Sequence, residues 1–141
     1  MKMPSGLLGA FGILAAGLVG SAFAQGSRST PANALAHRQM MAEAGNARDD
    51  LGEALGEKDL DVSAEASSKI EQFMAQTEAY WTAKKTDDAI KLATTARDAA
   101  KTIAEAKDSD AQAAARMTLQ STCMGCHSVH RGGAPPNFEI K

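Results

Sequence analysis

The sequence predicts an all-α protein folded as an antiparallel four-helix bundle. No proline occurs between Pro31 and Pro135, so nothing in that stretch takes a backbone donor out of a helix. Good helix formers dominate it, chiefly Ala, Glu, Lys, Gln and Met. Gly56, Lys85-Thr86 and Asp108-Ser109 are the expected breaks. They divide the stretch into four segments of similar length, and amphipathic helices with short connections pack most simply as a bundle.

The first helix is expected from about Pro31, a good first-turn residue, to about Leu55. Its inward face would carry Met40, Met41, Ala44, Ala47, Leu51 and Leu55. The second starts near Asp61, where Val62, Ala66, Ile70, Phe73, Thr77 and Tyr80 recur at three- and four-residue steps and make the strongest apolar stripe of the chain. The third begins at Thr86, with Asp87 and Asp88 in its first turn suiting the positive end of the helix dipole. Its buried side is Ile90, Ala93, Ala96, Ala100 and Ile103, small enough to allow close helix contact. The fourth follows Ser109 or Asp110 and contains Ala111, Ala115, Leu119, Thr122, Cys123 and Cys126. Gly132-Gly133 and Pro135-Pro136 end it, and strands have little to build on.

Residues 1–24 read as a signal peptide. Lys2 is the positive start, Leu7 to Val19 an apolar stretch, and Ala22-Phe23-Ala24 a small-x-small cleavage site before Gln25. The apolar stretch is short for a membrane span and is interrupted by glycines at 6, 9, 12 and 17, so no stable membrane insertion is expected after cleavage. The remaining residues, 25–141, are of a size for one domain with one core. Losing Lys2 from 15 basic residues leaves 14 against 17 acidic ones. That mild acidity gives no basic footprint for nucleic acid.

The two cysteines of the chain stand in Cys123-Met124-Gly125-Cys126-His127. Two thiols three residues apart can each add across a vinyl group of one haem, and the following imidazole then becomes an axial iron ligand. On a helix, positions 123, 126 and 127 share a face, so all three bonds to one flat group are compatible. Zinc fits poorly, because two cysteines exclude a four-Cys site and His127 and His130 are too close for the usual ligand pairs. A thioredoxin-like disulfide expects its motif after a strand in an alternating β/α chain, which this is not. Export and covalent haem together imply a bacterial periplasm, where the two thiols could also form a disulfide if haem were not attached.

With this motif on its last helix, the exported helical chain resembles the cytochrome c prime family, the class II c-type cytochromes. The resemblance spans essentially the whole mature chain. His37-Arg38-Gln39-Met40-Met41-Ala42-Glu43-Ala44-Gly45 is similar to the family's first-helix pattern, in which Arg-Gln precedes a distal Met or Leu and then a Gly. Cys123 to Arg131 is similar to its last-helix pattern, with Arg131 at the proximal arginine position and His130 in place of the usual aromatic residue. Counting back from Gly45 puts the distal ligand at Met41; counting forward from Arg38 lands on Ala42. Met41 is preferred, because a thioether is a known axial ligand. Met40 stays open as the alternative, and both methionines are open to a plain core role. His37, one turn before Met41, could reach the same side of the haem and stays open as a sixth ligand, but is read as a surface or first-turn histidine, and His130 as packing near the haem edge or meeting solvent. Arg38 is either a propionate partner, as the resemblance implies, or a solvated arginine. The segment from His127 to Gly133, with Pro136-Asn137-Phe138, is also similar to the stretch just after the haem motif in class I cytochromes c. Those place their motif early and a ligand methionine downstream, and no methionine comes after the motif here.

The resemblance implies one haem c held by two thioethers, and often pairing as a homodimer through the early helices. With His127 and Met41 as axial ligands the protein would be an electron carrier with a redox partner not specified by the sequence. With the sixth position vacant it would bind NO or CO. No acid, base and nucleophile cluster suggests an enzyme.

Overall fold

The computed structural model describes residues 31–135 and 137–141. The expected signal peptide, residues 1–24, lies outside them. Four helices, α1 (Ala34–Glu57), α2 (Leu60–Lys84), α3 (Asp87–Glu105) and α4 (Ser109–His130), hold 82% of the described residues. Connections of two or three residues turn the chain back on itself each time, so consecutive helices pack side by side. No helix among the described residues is long and apolar enough to cross a membrane.

Local chemistry explains the boundaries. The side chains of Asn33, Asp59 and Asp108 accept from the backbone N–H groups of Ala36, Val62 and Ala111 at 2.8–3.0 Å, each satisfying an orphan donor of the helix it opens. The Asn33 cap starts α1 at Ala34 rather than at Pro31. Gly56 does not end it; the left-handed residue is Lys58 (φ 58°). There the N–H of Asp59 bonds back to Ala54 and that of Lys58 to Leu55, closing the last turn. Lys85 (φ 58°) ends α2 in the same way, with Thr86 bonded to Trp81 and Lys85 to Thr82.

The main core is drawn very unequally from the four helices. Met40, Ala44, Ala47 and Leu51 of α1 meet Ala66, Ile70, Phe73 and Met74 of α2 and Ala96, Ala99, Ala100 and Ile103 of α3, whereas α4 adds only Leu119. The alanines of α3 let it lie close against α2, its most extensive neighbour, while α1 and α4 barely touch. The bundle is therefore open along the α1–α4 seam. Val62, expected to face inward, is 47% exposed, because it sits in the first turn of α2, at the bundle end.

A two-stranded antiparallel hairpin, β1 (Arg131–Ala134) and β2 (Asn137–Ile140), comes after α4 and departs from the all-helical expectation. Gly133 adopts φ 71°, and a side chain there would collide with the carbonyl oxygen of Asn137, so the strand pair depends on glycine at this position. The hairpin closes the end of the bundle. Arg38 donates to the Phe138 carbonyl (3.0 Å), the N–H of Lys141 to that of His130 (3.0 Å), and Ile140 packs on Tyr80, Trp81 and Ala89.

Candidate haem-attachment site

The open seam forms a cavity of about 740 Å³, within the range of pockets that enclose small molecules and cofactors. Its floor is apolar, made by Leu51, Ile70, Met74, Ala93, Ala96 and Leu119. Cys123, Cys126 and His127 line it together from α4, as their shared helix face requires, and all three are half-buried. Gly125 between the thiols faces Leu92 of α3, and a Cβ there would meet it at ordinary contact distance.

Burial sets the protonation of these groups. It pushes both thiols up, that of Cys126 to about 11 with Cys123 and Asp88 adding to the effect. A disulfide-exchange thiol needs the opposite environment, one that favours the thiolate. Burial, with Arg131 and Arg48 nearby, holds His127 below the usual imidazole range, leaving the neutral ring with the lone pair that a metal ligand requires.

The opposite wall separates the candidates for the far side. Met41 is half-buried and lines the cavity. Met40 is turned into the core at 7% exposure, Ala42 is exposed, and neither lines the cavity. His37 stands in the first turn of α1, as one of its two expected placements has it, but it is not at the surface. It is 4% exposed and stacked on Tyr80 (centroids 4.1 Å apart, 11° between planes), with Trp81 edge-on at 6.0 Å. Burial first, then His127 and Lys84, pull its pKa down to about 4. His130 lies against Trp81 (5.0 Å) and its Nε2 is 2.9 Å from Asp88 Oδ2, so it joins α4 to the start of α3.

Of the two arginines singled out from the sequence, Arg131 lines the cavity, with its guanidinium over the Phe138 ring at 4.3 Å. Arg38 does not line it and is held by the hairpin carbonyl instead. Two arginines that sequence reasoning missed, Arg48 and Arg116, do line it. Their signal was available: Arg48 lies seven residues after Met41 and Arg116 seven before Cys123, so each shares a helix face with a cavity residue.

Among the described residues no group of three or more His, Cys, Asp or Glu is placed to hold a metal ion. Comparison of the chain with protein-family models, curated proteins and solved structures finds no match.

Proposed function

We propose that the chain is a periplasmic monohaem c-type cytochrome of the cytochrome c prime type that carries electrons, with one haem c linked to Cys123 and Cys126. The observation that carries this reading is the joint exposure of both thiols and His127 to one apolar-floored cavity, with Met41 on the facing wall. The residues fit such a group in three respects. Both thiols are free rather than joined in a disulfide; His127 is neutral and available as a ligand; and α4, which buries only Gln112, Leu119 and Thr122 and barely touches α1, leaves the seam side of its inner face without an apolar partner. A tetrapyrrole brings four nitrogen ligands of its own, so the protein needs to add only axial ligands and no larger cluster of its own donors.

When bound, the haem would supply a one-electron couple, which sulfur ligation biases toward the ferrous state relative to two histidines. His127 would hold one side of the iron and Met41 the other. With His127 and Met41 both holding the iron, the chain would need to rearrange little on gaining an electron, which would suit a carrier. The cavity floor would keep water from the group, and burial would hold His127 in its ligating form.

Two measurements test this. Mass spectrometry of the denatured chain should show the increment of one haem; a chain of bare polypeptide mass would refute covalent attachment. Visible and near-infrared spectra of the oxidised and reduced protein should be low-spin, with the weak long-wavelength sulfur-to-iron band. A high-spin ferrous form that changes promptly with CO would instead establish the five-coordinate, gas-binding alternative.

A further inference from the structure

The cavity has a charged side as well as an apolar floor: of the three arginines that line it, Arg131 is stacked over the Phe138 ring at the hairpin, and the other two come from the two helices of the open seam. Arg48 projects from α1 and Arg116 from α4. They converge on one stretch of the seam: Gly52 is one turn beyond Arg48, and a Cβ on Gly52 would lie 3.3 Å from Arg116 Nη2, so the Arg116 side chain reaches across the seam to α1. Arg116 has no acidic partner among the described residues. Arg48 meets only its exposed neighbour Asp49 (2.6 Å), a surface pair easily exchanged for a better acceptor. Among the described residues Asp49 is also the single carboxylate on the cavity wall. Such a wall suits a molecule with an apolar body and two anionic groups at one edge.

We propose that Arg48 and Arg116 together clamp the two propionates of the bound tetrapyrrole, and that Arg38 does not. This rests on the haem reading and extends it by fixing which edge of the group faces the two arginines. Guanidinium and carboxylate match in shape and charge, so two such pairs set orientation as well as affinity. Arg38 does not line the cavity; its guanidinium is turned to the Phe138 carbonyl at the hairpin.

The test uses the full chain with Cys123→Ala and Cys126→Ala, so that haem associates without being linked, titrated by absorbance with ferric haem and with its dimethyl ester. The diacid is expected to bind roughly tenfold or more tightly than the ester, a preference that shrinks in high salt. R48Q/R116Q should bring the two affinities together while helicity by circular dichroism stays unchanged, and Arg38→Gln should leave the preference intact. Equal affinity for diacid and ester with the arginines present would overturn the clamp and leave the haem reading standing. So would a preference that survives R48Q/R116Q, or one that Arg38→Gln removes. Binding of neither compound would overturn both readings.

Discussion

Of the two histidines whose pKa burial lowers, His37 should be the larger source of acid sensitivity. Its ring is buried against Tyr80 and Trp81, and its pKa falls from 6.5 to about 4. The unfolded chain therefore takes up a proton near pH 6.5 that the folded chain refuses until about pH 4. Between those values the unfolded state binds more protons, so stability rises with pH: the contribution is complete above about pH 6.5 and lost as pH falls through 4. One proton over that interval corresponds to about 1.4 kcal/mol per pH unit, or about 3 kcal/mol in total. His37→Phe keeps a stacked ring, and because His37 Nδ1 has no hydrogen-bond partner the substitution orphans no group on that account. Urea unfolding of both proteins at half-unit steps from pH 7.5 to 4 should give similar midpoints above pH 7 and a wild-type midpoint that falls behind by roughly 2–3 M by pH 4. Carboxylates titrate in both proteins and cancel to first order, and the part of the difference that His127 adds by repelling a protonated His37 has the same sign. Parallel pH profiles would refute the argument, since they would mean that the His37 ring reaches water in the folded state.

Three further outcomes are expected from the fold. Lys58→Gly and Lys85→Gly should each stabilise the chain by about 0.5–1 kcal/mol in thermal or urea melts, because both lysines occupy left-handed positions that glycine adopts without steric cost. Gly133→Ala should unpair β1 from β2, releasing the Arg38–Phe138 contact; proteolysis at the C-terminus would speed up while the far-ultraviolet helix signal stays close to that of the parent. Protein prepared without haem should melt at least roughly 10 °C below the loaded form, because α4 has so little apolar surface to bury without it. Similar melting of the two would contradict the cavity's proposed role.

Periodicity makes the helices legible, and it fails where the cause is not periodic. The stripe from Ala66 to Tyr80 is buried as its spacing requires, because helical geometry alone puts those residues on one face. Val62 belongs to the same stripe and is exposed: spacing fixes a face but not where along the helix the neighbours stop. Glycine at 56 is a weaker stop than the pairing of a left-handed lysine with the Asp59 cap, since a helix end is set by which groups satisfy its last carbonyls and the next helix's first donors. The hairpin is not legible because Gly132-Gly133 and Pro135-Pro136 signal a helix end and a tight turn equally. What holds the strand pair comes from other parts of the chain: Arg38 donating to the Phe138 carbonyl, the His130 carbonyl accepting from the Lys141 N–H, and Tyr80, Trp81 and Ala89 packing on Ile140. The burial of His37 is hidden for a related reason, as it comes from Tyr80 and Trp81, more than 40 residues away.

The slip of one residue between Arg38 and Gly45 leaves two methionines in contention, and the packing gives them different physical signatures. Met40 is enclosed by the main core, so Met40→Ala removes a buried side chain and should cost about 2–4 kcal/mol in unfolding free energy. It does not line the cavity and should leave the haem spectrum as it was. Met41 is half-buried at the cavity wall, where truncation enlarges a space already open to the seam. Met41→Ala should therefore cost at most about 1 kcal/mol in the polypeptide packing, yet abolish the sulfur-to-iron band and give a ferrous form that takes up CO. The two readouts must separate in this way for the assignment to hold. If Met40→Ala shifts the spectrum and Met41→Ala only the melting, the register counted back from Gly45 is wrong and α1 must rotate when the group is bound. If neither substitution changes the spectrum, no methionine reaches the iron, and the protein belongs with the gas binders rather than the carriers.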